Sequence, residues 1–289
     1  MTGPVVTGVD GQACGTDALR LGRWLADSLG GPLIVAVVHA APAALGSGRV
    51  DAEWVADRHR AAEAVLNGAR ESLKDAPGEA EYRAVASTSA AHGLHDLAEE
   101  VDASIIVVGS KLSGAKNRLF AGSTAERLLA GSQWPIAVAP QEMTASPGDH
   151  GRVGVAYVDT PDGRAALEEG AEIARRIGAS LRLYTVVADQ DSTLPFLVGA
   201  DAEHAFLETA RETYEESLRR AAATVSGVEV DWRLLTGNVV DALTELDEVD
   251  VLCCGSRGYG PARRVLLGGV STRLLRGARS PIIVVPRSG

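Results

Sequence analysis

The sequence predicts two tandem α/β domains, each built on a five-stranded, mostly parallel sheet with helices on both faces. The first observation is length, because 289 residues correspond to about two average domains. The second is an internal repeat: the segment WPIAVAP at 134–140 returns as SPIIVVP at 280–286. The third is the order of elements, since apolar strands alternate with helices in both halves, which is typical of parallel sheets covered by helices.

The repeat indicates duplication of a whole domain, because solenoid repeats are only about 20–50 residues long. Gly109 returns as Gly255 and Gly122 returns as Gly268, each 146 residues later. Near the start Leu19 corresponds to Leu167 at an offset of 148, so the two copies differ by an insertion or deletion. The predicted domains are residues 1–141 and 151–289, joined by a linker rich in Ser, Pro and Gly.

In the first half, each strand is predicted from an apolar or alternating run and each helix from apolar residues at helical spacing. VVTGV opens the sheet, and Leu19, Gly22 and Leu25 mark one face of the next helix. The long amphipathic helix after the second strand starts at Asp51, a residue type favoured at the N-cap, and ends before Pro77. Strands are predicted at 5–9, 32–40, 81–88, 104–109 and 135–140, and helices at 15–29, 51–74, 92–101 and 123–131.

The second half repeats this order of elements. Sheets of this kind bind ligands outside the carboxyl ends of their strands, where the strand order reverses, so functional residues are expected directly after strands. The last strand of each half is apolar and expected at an exposed sheet edge, where we expect the two domains to pair. Strands are predicted at 152–158, 180–187, 228–234, 249–254 and 281–285, and helices at 162–177, 201–225, 239–247 and 269–277.

The charge balance restricts the classes of partner. The chain carries 28 Lys and Arg against 38 Asp and Glu, a net charge of −10. Nucleic acids and anionic membranes are therefore not expected as partners, because phosphate backbones are bound by a surplus of basic residues. No apolar run approaches the ~18 residues of a membrane span, and the first residues lack a secretory signal pattern. With three cysteines, expected to be reduced and buried, the sequence indicates a cytoplasmic protein.

The strongest candidate for a binding site is the loop after the fourth strand of the second half. Gly255 and Gly258 would let backbone N–H groups approach a ligand closely, and Gly268 and Gly269 open a predicted helix, whose N-terminus favours phosphate. The loop is not a Walker A motif, because no Gly-Lys-Ser/Thr ends it. The alternative is that these glycines only form turns.

The same residues carry a family resemblance. Gly255, Gly258 and Gly268 are separated by two and nine residues, which resembles the terminal signature of the universal stress protein family, G-x2-G-x9-G-[ST]. VVTGVDG at 5–11 resembles the first strand of that family, with its acidic residue at Asp10. The resemblance covers nearly the whole chain twice. It implies Rossmann-like domains and, in one branch of the family, binding of ATP.

The resemblance also implies roles for individual residues. The signature would surround the phosphates and ribose, and Asp10 would bind the ribose. Backbone groups after the second strand would contact adenine, which implies Ala40 in the first half and Val186 as its counterpart in the second. Arg118 and Arg264, 146 residues apart, either neutralise the phosphates or are solvated loop residues.

Each half departs from the family pattern. The first half keeps Gly109, Gly122 and Ser123, but Leu112 stands at the second glycine. In the second half all three glycines match, but Gly269 replaces the hydroxyl residue, which Ser271 in the same turn would have to supply. That half also has Val158 at the position of Asp10, with Asp159 one residue later.

The expected function is a regulatory or stress-response protein that binds adenine nucleotide, ATP with or without Mg²⁺, in at least one domain. Two alternatives stay open: an interaction or dimerisation module without nucleotide, and a slow ATPase. No G-x-S-x-G motif, paired carboxylates or Cys–His pair supports catalysis. His92 and His95 lack convincing companion ligands, so no metal site is expected, and Glu168–Glu169 indicate a solvated helix face.

Overall fold

The computed structural model describes residues 3–41, 52–110, 123–130, 132–141, 143, 148–187, 200–256, 273–274 and 278–286. They form two compact units that divide at residues 144–145. Each unit is an α/β domain with a parallel sheet, which confirms the predicted fold class. No helix within these ranges is long and apolar enough to cross a bilayer.

The first domain alternates strands and helices. The elements are β1 (Val5–Gly8), α1 (Ala13–Leu29), β2 (Leu33–Ala40), α2 (Ala52–Ser72), β3 (Ala80–Ser87), α3 (Ala90–Glu100), β4 (Ile105–Gly109), α4 (Ser123–Leu129) and β5 (Ile136–Ala139). The strands lie in the order β3-β2-β1-β4-β5, and every pair is parallel. Helix α1 packs on the face that carries Thr7, and α3 packs on the opposite face beside Gly8.

The second domain has the same architecture. Its elements are β6 (Arg152–Ala156), α5 (Pro161–Ile177), β7 (Ser180–Val187), α6 (Ala200–Thr224), β8 (Val230–Thr236), α7 (Val239–Thr244), β9 (Val251–Gly255) and β10 (Ile282–Val285). The strands lie in the order β8-β7-β6-β9-β10, and every pair is parallel.

Two predictions fall partly or wholly outside the described residues. Asp51, the predicted N-cap of α2 in the first domain, is one of them. The other is the helix predicted at 269–277 in the second domain, of which only residues 273–274 are described.

The structure fixes which residues of the two domains correspond. Gly30 and Gly178 end α1 and α5 in the left-handed conformation, at φ 67° and 66°, so the offset is 148 residues there. In α2 and α6 the buried Leu66 and Leu218 correspond at an offset of 152. The strand register gives an offset of 150 in β3 and β8. By β4 and β9 it has fallen to 146, after a segment in which α7 has 6 residues and α3 has 11. The duplicated domains therefore differ by more than one insertion or deletion.

This correspondence corrects the expectation that Glu169 lies on a solvated helix face. Its counterpart in α1 is Leu21, which is completely buried. Glu169 is half-buried, and its Oε1 has no hydrogen-bond partner among the described residues. Burial raises the pKa of the Glu169 carboxyl, because desolvation disfavours its charged form.

We expect Glu169→Leu to stabilise the protein by about 1–2 kcal/mol at pH 7, because it removes a half-buried carboxyl whose buried Oε1 has no hydrogen-bond partner among the described residues. A carboxyl whose pKa is raised by folding is most favourable below its unfolded pKa of about 4.3, and it loses stability as pH rises through the raised value. The advantage of the variant should therefore shrink as pH falls from 7 to 4. Urea unfolding at both pH values measures it, with the exposed Glu168→Leu as control. An equal gain from both variants would contradict the explanation.

Candidate functional site

The candidate site lies at the carboxyl edge of the first sheet, between β1 and β4. The chain runs outward from β1 to β2 and β3, and then returns to place β4 on the other side of β1. The strand order reverses at this point, which is where open α/β sheets bind ligands. Asp10 lies two residues after the end of β1, and Gly109 ends β4. The structure thus places both of these predicted site residues at the same edge of the sheet, where Ala40, a third, ends β2.

Asp10 is exposed and lies over the first turn of α1. Its Oδ1 accepts a hydrogen bond from the Gln12 backbone N–H at 3.0 Å. The Cys14 Sγ lies 3.8 Å from both carboxylate oxygens. A Cβ at Gly15 would lie 3.0 Å from the same Oδ1 and 3.1 Å from the Asp10 backbone nitrogen, so a side chain there would require Asp10 to shift by a few tenths of an ångström. A negative charge here is also favoured by the N-terminal dipole of α1.

Gly109 has a packing function that the sequence did not indicate. A Cβ on this residue would lie 2.1 Å from the Cys14 carbonyl oxygen in the first turn of α1. The next backbone N–H, that of Ser110, donates to the Ala139 carbonyl at 2.9 Å and so extends the sheet. The absence of a side chain at Gly109 thus allows α1 to contact β4 directly, which is a reason for this glycine without any ligand.

The second domain repeats this arrangement at Gly255. A Cβ there would lie 2.7 Å from the Asp162 carbonyl oxygen, in the first turn of α5. The Ser256 backbone N–H donates to Val285 at 3.0 Å. The paired glycines of β4 and β9 therefore share a structural role.

The acidic side chain of the second domain has a different environment from Asp10. Val158 occupies the Asp10 position, as predicted, and Asp159 corresponds to Gly11. The Asp159 carboxylate is ion-paired with Arg164, and it lies 3.8 Å from Arg220 Nη2. The Tyr157 hydroxyl donates to the same carboxylate at 3.4 Å, and burial together with this charge raises the pKa of Tyr157. Ribose hydroxyls would have to compete with two arginines for Asp159.

The strand register corrects the equivalence of Ala40 and Val186. Val5 pairs with Leu33 in the first sheet, and Val153 pairs with Leu181 in the second, which fixes the offset in β2 and β7 at 148. The counterpart of Val186 is therefore Val38. Ala40 corresponds to residue 188, outside the described residues, so the assignment of an adenine contact to Val186 loses its basis.

Several predicted site residues cannot be placed. Ser123 begins α4, but its side chain is not described.

Among the described residues, no group of three His, Cys, Asp or Glu side chains could hold a metal ion. His92 instead lies in the first turn of α3, where its N–H is capped by Ser89 Oγ at 3.2 Å. The predicted residues outside the described ranges are Leu112, Arg118, Gly122, Gly258, Arg264, Gly268, Gly269 and Ser271.

Sequence reasoning missed Cys14 and Gly15 at the candidate site. Both belong to the segment from Gln12 to Thr16 at the start of α1, and only Asp10 in that region matched the family pattern. The two residues showed no separate signal, because a small residue at a helix start is common for packing reasons alone.

Comparison with known proteins now places the chain. The model of the "Universal stress protein family" matches residues 1–140 and 150–286. A universal stress protein of Mycobacterium tuberculosis is 30% identical over 247 residues, which cover 82% of this chain and 84% of that protein. A universal stress protein structure from Archaeoglobus fulgidus, 21% identical, covers 99% of this chain and 97% of its own, with a TM-score of 0.65. A putative universal stress protein from Pseudomonas aeruginosa, 15% identical, covers 99% and 93%, with a TM-score of 0.64. The chain belongs to the universal stress protein family and carries two copies of its domain in tandem.

Proposed function

We propose that the first domain binds an adenine nucleotide and that the protein acts as a nucleotide-responsive regulator in a stress response. The observation that carries this proposal is the exposed carboxylate of Asp10 at the point where the strand order reverses. The Gln12 N–H fixes this carboxylate at one oxygen, which orients it before a ligand arrives. An oriented carboxylate at this position suits the two hydroxyls of a ribose, since it accepts hydrogen bonds only.

The other contacts follow from the position of Asp10. The Ala40 backbone, at the end of β2, would face the adenine ring, and the loop from Gly109 to Gly122 and Ser123 would face the phosphates. Binding regulates the protein only if two conformations differ in their affinity for the nucleotide.

The second domain supports a different proposal. Its acidic residue Asp159 is ion-paired with Arg164 and lies 3.8 Å from Arg220, so these arginines would compete with a ribose for the carboxylate. We therefore propose that the second domain serves as an interaction module and binds no nucleotide. The intact spacing of Gly255, Gly258 and Gly268 leaves anion binding at its glycine loop as the rival proposal.

We expect Asp10→Ala to weaken ATP binding by about 10- to 100-fold, the effect of losing hydrogen bonds to a charged group worth about 1.5–3 kcal/mol. Titration calorimetry with ATP and Mg²⁺ measures the affinity, and the matched variant Asp159→Ala should leave it unchanged. If only Asp159→Ala weakens binding, the nucleotide occupies the second domain. No heat and no thermal shift at millimolar ATP would contradict nucleotide binding altogether.

Phosphate release measured over hours distinguishes a slow ATPase from a protein that only binds ATP. Loss of that release in Asp10→Ala would favour the enzyme. Mass spectrometry of small molecules released on denaturing the freshly purified protein identifies the nucleotide without any assumption about it.

A further inference from the structure

Helices α1 and α2 leave a groove of about 430 Å³ between them in the first domain. Val9 and Leu19 lie along it on one side, and Val65 and Gly68 of α2 line the other. Asp10 is not among the lining residues, but Gln12 and Gly15, which lie beside its carboxylate, are, so the groove borders the candidate nucleotide site without including that carboxylate. Its volume falls in the range of about 300–1,000 Å³ that is typical of small-molecule sites.

Among the residues that the structure describes, the lining of the groove contains no ionisable side chain. It consists of glycine, alanine, valine and leucine, with three polar side chains, Gln12, Thr16 and Ser72. Beyond the groove, α2 is strongly charged, with Arg70 and Glu71 directly before Ser72. The groove is therefore an uncharged segment of an otherwise charged surface.

Two glycines keep the groove open. A Cβ on Gly11 would lie 3.0 Å from Val65 Cγ2, so any side chain there would narrow it. Nothing lies within 4 Å of a Cβ built on Gly68, which shows open space beside α2. Gly11 has φ +74°, a conformation that also favours glycine.

The second domain fills the corresponding space with charge. Asp159 corresponds to Gly11, and Arg220 corresponds to Gly68 at the offset set by Leu66 and Leu218. The two side chains meet at 3.8 Å. In the second domain an ion pair therefore crosses the space that is open in the first. The groove thus depends on the side chains of the first domain, and the fold does not require it.

We propose that this groove binds an uncharged, largely apolar small molecule. A charged ligand would lose its hydration without a compensating charge in the lining, which is costly. An apolar body would contact Val9, Leu19 and Val65, and a few polar groups would find Gln12 and Thr16. This proposal does not rest on nucleotide binding, and its test uses no nucleotide.

The test is a fluorescence titration of the full chain with N-phenyl-1-naphthylamine, a neutral apolar probe. The wild-type protein should bind it, and Gly68→Arg should weaken binding at least tenfold. Adding Gly11→Asp should weaken it further, because a side chain at residue 11 would lie against Val65 Cγ2. Asn67→Arg adds the same charge one residue earlier, off the groove, and should bind like wild type, as should Gly68→Ala.

Urea unfolding of each variant establishes that it is folded, and Gly68→Arg is expected to fold because the space beside it is empty. Absence of probe binding to the wild type overturns the proposal. So does an equal loss in Gly68→Arg and Asn67→Arg. Sedimentation adds one more outcome: a dimer that Gly68→Arg dissociates would show that a second copy, and not a small molecule, occupies the groove.

Discussion

Asp250→Ala should destabilise the second domain by about 3 kcal/mol, because it removes hydrogen bonds between a buried charge and three backbone amides. Asp250 is 2% exposed at the start of β9. Its Oδ1 accepts from the N–H groups of Gly148 and His150 at 2.8 and 2.9 Å, and its Oδ2 accepts from Arg152 at 3.0 Å. One carboxylate thus fixes the segment that enters β6 against the neighbouring strand.

The measurement is urea unfolding of the full chain, followed by hydrogen exchange at the three amides. Asp247→Ala is the matched control, since its side chain is 74% exposed and its ion pair with Arg279 spans 4.0 Å, so it should change stability by less than about 0.5 kcal/mol. Asp250→Asn keeps the shape and one acceptor oxygen, so it should fall between the two. If Asp250→Ala unfolds like Asp247→Ala, the carboxylate does not anchor the segment.

No feature of the sequence distinguished Asp250 from a solvated acid near the start of the strand predicted at 249–254. Its partner amides precede it by about one hundred residues, and only the pairing of β6 with β9 brings them together. Its counterpart in the first domain is Ser104, whose hydroxyl donates to the Pro4 carbonyl at 3.2 Å. The internal repeat therefore did not predict the role of Asp250 either, because the two domains hold the segment before their first strand with different hydrogen bonds.

The strands and helices were predictable because their signal is local. Buried parallel strands such as β4 and β9 are apolar on both faces, and the helices carry their own periodicity and caps. Correspondence between the two domains was less predictable, since it depends on loop lengths. The sequence analysis used a single offset of 146 residues between the domains, which made Val186 the counterpart of Ala40. The strand register shows that the offset between β2 and β7 is 148.

The candidate site was predictable in part. Asp10 could be placed from the first-strand pattern, because a residue that follows a strand directly has little freedom of position. The ion pair between Asp159 and Arg220 could not be predicted, since Arg220 lies on α6, 61 residues further along the chain. The packing function of Gly109 was hidden as well, because a glycine that admits a helix and a glycine that admits a phosphate look the same in a sequence.

Gly109→Ala is therefore expected to destabilise the first domain by about 3 kcal/mol, with or without nucleotide. The new methyl group would lie 2.1 Å from the Cys14 carbonyl oxygen and 2.6 Å from its carbonyl carbon. These are backbone atoms, which cannot rotate away, so α1 has to shift from β4, and overpacking of this kind typically costs about 1–3 kcal/mol or more. Because Cys14 also lies beside Asp10, the same shift should disturb the carboxylate.

The matched control is Gly68→Ala, the same chemical change at a position where nothing lies within 4 Å. Gly68 is inside α2, where alanine is favoured over glycine by about 0.5–1 kcal/mol, so this variant should be more stable than wild type. Urea unfolding should thus give opposite signs for the two substitutions. A stable Gly109→Ala that has lost only ligand binding would show instead that this glycine serves the ligand and not the contact between α1 and β4.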